Sequence, residues 1–150
     1  MSQENRMSLN IPEADKLAIK GAINLLNEKL LPHLIALTPD ERHTMPKAAD
    51  KTIAFLGKTQ DYFESNPDLV PSFINKVEYN TDVDGTNELF EYFTPINQLA
   101  SMLSDSMMLA GSEAYVTALA FYKSVKSAAA MNIPGAKTVY EELSKRFRGQ

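Results

Sequence analysis

The sequence predicts an all-α fold, an up-and-down bundle of four long helices with shorter helical segments between them. Three observations lead there. Apolar residues recur at spacings of three and four, the pattern that turns one face of a helix toward a core. The two-residue alternation of a half-buried strand is nowhere sustained. Prolines and capping residues cut the periodic stretches into helix-sized pieces, and the short connections that result favour antiparallel neighbours.

The first long helix starts near Pro12, a residue suited to a first turn, and carries Ile19, Ile23, Leu26, Leu30, Leu34 and Leu37 on one stripe. Pro32 falls inside that pattern. It lacks an amide donor and crowds the preceding turn, so a kink or break is expected there. Thr38, Pro39 and Glu41 supply a capping hydroxyl, a first-turn proline and the acid of a capping box, which starts a short helix. A second long helix follows Pro46 with Ala49, Ile53, Leu56 and Phe63 inside and ends at Asn66-Pro67. The stretch from Pro67 to Tyr79 reads as a short helix and an irregular connection.

A third helix carries Leu89, Phe93, Ile96, Leu99, Leu103 and Met107, with Pro95 either kinking it or marking its regular start. Gly111, Ser112 and Glu113 read as the end of that helix and the cap of the next. The fourth, from about Glu113 to Met131, is rich in alanine, which permits close neighbours. A stop at Asn132 to Gly135 precedes a last helix with Val139, Tyr140, Leu143 and Phe147 aligned. Residues 1–10 read as a mobile polar segment and 11–150 as one helical-bundle domain.

Composition narrows the chemistry. The chain has no cysteine, which removes disulfides, thiolate metal sites and thiol nucleophiles together. A formal net charge of −4 argues against a nucleic-acid footprint. No apolar run reaches the length of a membrane span, and the polar start lacks a secretory signal, so neither a membrane nor export is expected and the cytoplasm is the predicted location. Charge is unevenly spread. Val77 to Tyr122 holds seven acids and no Lys or Arg, whereas Lys123 to Gln150 holds six Lys and Arg against Glu141 and Glu142. Basic residues suit the end of a last helix, and the same asymmetry can steer self-association.

The sharpest motif runs from Asn80 to Glu91. It can be laid on a 12-residue calcium loop, with Asn80, Asp82, Asp84 and Glu91 as oxygen ligands and Gly85 at the sharp turn. Asn80 stands where such loops use Asp, and no second loop is present. The alternative is a turn at Asp84-Gly85 with acids near a helix N-terminus. His33 and His43 do not form the paired Glu-x-x-His motifs of a di-metal bundle. No Gly-x-Ser-x-Gly elbow or phosphate loop is present either, so no catalytic residue and no cofactor is expected. Met102, Met107, Met108, Tyr115 and Tyr122 are adaptable apolar residues assigned first to core packing, with an interaction surface as the functional alternative. Asn97, Ser101 and Ser104 offer polar groups to a small ligand if they border the core.

Met108–Tyr115, Ala120–Lys126 and Ile133–Lys137, together with Leu31–Leu34 and Leu37–Arg42, resemble uncharacterised bacterial all-helical proteins of about this length. The resemblance implies the fold and carries no activity, and the Asn80 to Glu91 stretch is outside it. The function expected is therefore non-catalytic, acting through a protein partner or through self-association such as a homodimer. The alternative is a small-ligand or calcium binder.

Overall fold

The computed structural model describes residues 4–148, and among them every regular element is helical. The order is α1 (Glu13–Lys29), α2 (Pro39–Thr44), α3 (Asp50–Ser65), α4 (Lys76–Ala130) and α5 (Ala136–Ser144). Single 3₁₀ turns follow α1, α3 and α5 at Leu31–His33, Pro67–Leu69 and Lys145–Phe147. The chain divides into two compact units, Ile11–Leu99 and Met1–Asn10 with Ala100–Gln150. The division falls within α4, where a single 11–150 domain was expected.

In the first unit, Pro12 precedes α1, Glu13 and Asp15 occupy its first turn and Lys29 its last, in keeping with the helix dipole. Pro32 breaks the helix into a 3₁₀ turn, one of the two outcomes its sequence position allowed. The capping box of α2 forms as its sequence demands. Glu41 N–H donates to Thr38 Oγ1 at 3.3 Å, and Thr38 N–H donates to Glu41 Oε2 at 2.8 Å. The Thr38 backbone N–H, and after it the Thr38 hydroxyl donating to Glu41 Oε2 at 2.9 Å, hold the Glu41 carboxyl below its ordinary pKa.

Helix α3 lies antiparallel to the first third of α4. Phe63 meets Tyr79 with ring centroids 4.9 Å apart, Tyr79 Oη donates to Leu56 O at 2.9 Å, and Gln60 Nε2 donates to Asp84 Oδ1 at 3.2 Å. Phe63 near one end of α3 meets Tyr79, and Ile53 near the other shares a groove with Thr86 and Phe90, which sets the antiparallel direction. Val83, one turn from Tyr79 and one from Thr86 on the same face, is 2% exposed and is the most deeply buried hydrophobic among the described residues.

The expected third and fourth helices are one helix, which corrects the stop placed at Gly111, Ser112 and Glu113. A glycine within a helix costs about 1 kcal/mol against alanine. The strong helix formers Met107 to Ala110 and Ala114 on either side outweigh that cost. Pro95 is likewise held inside α4, with Thr94 Oγ1 donating to Phe90 O at 2.9 Å just upstream. The start of α4 at Lys76 replaces an irregular connection expected as far as Tyr79. Asn75 Oδ1 accepts from Val77 N and Glu78 N, both at 3.1 Å, and caps the helix. The signal was present: Asn75 followed three residues later by Glu78 has the spacing of a cap and its acid.

In the second unit, α4 ends as its sequence required. Ile133 N donates to Ala128 O and Asn132 N to Ala129 O, both at 3.1 Å, with Asn132 at φ 57°: a Schellman closure. Gly135 at φ 81° then turns the chain into α5. This helix returns antiparallel to the end of α4, where Tyr122 stacks on Tyr140 at 5.6 Å and tilts against Phe147 at 5.1 Å. Val125, one turn beyond Tyr122, is the other buried hydrophobic. Of the N-terminal segment expected to be mobile, residues 4–10 belong to this unit, and Arg6 N donates to Glu113 Oε1 at 2.7 Å.

Loss of water around the Tyr122 hydroxyl, and then the neighbouring Tyr140, push its pKa above the ordinary tyrosine value. The fold thus favours the neutral phenol. Its contribution is complete below about pH 10, the unfolded value, and is lost as the pH rises through the higher folded one. Tyr122→Phe should therefore hold α5 in place further into alkali than the parent does, read by near-ultraviolet circular dichroism. Coincident alkaline transitions would contradict this.

Candidate interaction surface

The sequence stripe of α4 forms on the helix, and within each unit the described residues leave much of it uncovered. In the first unit Leu89, Phe93, Ile96 and Leu99 are exposed, from 40% at Ile96 to 61% at Leu99. On α1, Leu17, Ile19, Ile23, Leu25 and Leu26 are exposed as well. In the second unit Leu103, Met107 and Phe121 of α4 are also in the open. Val83 and Val125 are the only buried hydrophobics among the described residues. Amphipathic helices have formed with their apolar faces largely unmet, so helix periodicity was legible while burial was not.

Of the candidate interaction residues, Met102, Met107, Met108 and Tyr115 are exposed, Met107 the most at 74%. Tyr122 is different. It is half-buried and engaged by Tyr140 and Phe147 of its own unit, so its packing, and not an open surface, accounts for it.

The calcium-loop residues are not on a loop. Asn80, Asp82, Asp84 and Glu91 all lie within α4, and this corrects both the loop and the turn expected at Asp84-Gly85. At 100° per residue, Asn80, Asp84 and Glu91 fall near one line while Asp82 is about half a turn away. A helix cannot wrap those four around one ion as a loop does. Thr86 Oγ1 donates to Asp82 O at 2.8 Å and Thr81 Oγ1 to Val77 O at 2.9 Å, local bonds that keep the segment helical. Asp84 accepts from Gln60, and Asn80 Oδ1 is buried without a partner. Among the described residues no three His, Asp or Glu side chains are grouped to hold a metal ion.

Asn97, Ser101 and Ser104 are exposed and do not border a core. His33 lies in the 3₁₀ turn after α1 and His43 in α2, both exposed. Along α4 from Val77 to Tyr122 the charges are all acidic. Tyr92 Oη donates to Glu88 Oε1 at 2.7 Å, a bond that raises the tyrosine pKa because it favours the neutral phenol beside a carboxylate. No helix among the described residues is long and apolar enough to cross a membrane. Compared with known proteins, the chain matches no family model, no curated protein and no solved structure.

Proposed function

We propose that this is a non-catalytic, cytoplasmic interaction protein whose apolar surfaces on α1 and α4 are covered by protein in its working state. A single observation carries this: two buried hydrophobics among the described residues, against long runs of exposed Leu, Ile, Phe and Met on helices that are otherwise well formed. Contiguous exposed apolar surface is costly in water, at about 25 cal/mol per Å², and on soluble proteins it marks sites of association. The four-helix bundle expected from the sequence is, on this reading, completed by helices from another chain. Exposed methionines at Met102, Met107 and Met108 add a surface able to fit a partner of irregular shape.

The test combines mass with dye binding. Purified at micromolar concentration, the chain should sediment above its own 16.7 kDa, or else remain at that mass and bind an apolar-surface dye such as anilinonaphthalene sulfonate strongly. A species of 16.7 kDa that leaves the dye dark would show that the chain covers these faces by itself, and would overturn the proposal.

A further inference from the structure

We infer that the occupant of this surface is a second copy of the chain, paired antiparallel through α4, an inference that rests on the interaction reading above. The uncovered apolar face of α4 is the first argument. Leu89, Phe93, Ile96, Leu99, Leu103 and Met107 are each at least 40% exposed, at the spacing of three and four by which helices seat against one another.

Charge supplies the second argument, and it chooses both the partner and the direction. The stretch Val77 to Tyr122 carries Glu78, Asp82, Asp84, Glu88, Glu91, Asp105 and Glu113 with no Lys or Arg. The chain beyond Tyr122 is basic: Lys123, Lys126, Lys137, Lys145, Arg146 and Arg148 against Glu141 and Glu142. A parallel pair would set like charge beside like along its length. An antiparallel pair sets the acidic part of one copy beside the basic part of the other, and does so twice. A two-fold interface requires this self-complementarity of one patch. The chain thus holds both halves of the electrostatic match within its own sequence.

The experiment measures the dimer dissociation constant by sedimentation as ionic strength rises. Antiparallel pairing should weaken by about tenfold between low and high salt as the opposite charges are screened. Lys123→Glu with Lys126→Glu should weaken it at low salt by a similar factor, and mixing that variant with Glu78→Lys/Asp82→Lys should restore association, since each copy then meets its complement. Circular dichroism on each variant verifies that the helices persist. A dimer that tightens with salt, or a mixture that does not recover, overturns the antiparallel pairing. A dye-bright species of 16.7 kDa overturns the second copy as occupant while leaving the interaction reading standing. A dye-dark one of that mass overturns both.

Discussion

Val83→Asp is expected to lower stability by about 3–5 kcal/mol, the cost of leaving a charge buried without a partner. Val83 is 2% exposed, on the face of α4 that α3 covers, so a carboxylate there reaches no water unless the two helices part. For a chain of this length the loss corresponds to a melting temperature lower by roughly 10 °C or more. Val83→Ala separates cavity from charge. It removes only methyl groups and should cost a smaller amount, on the order of 1–3 kcal/mol. Thermal melts followed by circular dichroism distinguish the two, and an aspartate variant melting within a degree or two of the parent would mean that α3 does not seal this position.

Leu99→Asp should act on a different equilibrium. Leu99 is 61% exposed, so the charge meets water in the isolated chain and the helical signal should be unchanged. In the proposed dimer the same position lies in the apolar seam. Truncating or charging a central anchor costs about 2–4 kcal/mol of binding, which is about a 30- to 1000-fold weaker dissociation constant. Sedimentation equilibrium reads this directly. Unchanged association would place Leu99 outside the interface. The pair of substitutions thereby separates folding within the chain from covering between chains.

The helices themselves were legible because their signals are local. Pro12, the Thr38 to Glu41 box and the Asn132 to Gly135 stop act through neighbouring backbone groups, and each appears where the residues placed it. Two other local signals misled. Gly111 and Asp84-Gly85 read as interruptions, but each is one weak residue within a strongly helical stretch, and the sum over the stretch decides. The cap at Asn75 was masked by Pro67 and Pro71 just upstream, residues that favour irregular chain.

The candidate surface was harder for a physical reason. A stripe of Leu, Ile and Phe at helical spacing is the same pattern whether a neighbour from its own chain covers it or a separate molecule does. Leu99 and Leu119 have equivalent chemistry, yet one is open and the other half-buried beside α5. Only the positions of other helices tell them apart. Tyr122 belongs to the same candidate set as the open Met107, yet it is held by its own unit.

The turn between Ala130 and Ala136 carries a kinetic consequence. Tyr122 and Tyr140 are only 18 positions apart, and Phe63 and Tyr79 only 16, so both hairpins close short loops at little entropic cost. Contacts this local form within microseconds to milliseconds, at a rate independent of how much protein is present. Meeting a second copy is bimolecular and slows on dilution. Each chain would then acquire its helix pairs first and wait for a partner with its apolar seam in water, and in that interval the seven acids of the Val77 to Tyr122 stretch, by mutual repulsion, would discourage parallel and disordered clumping.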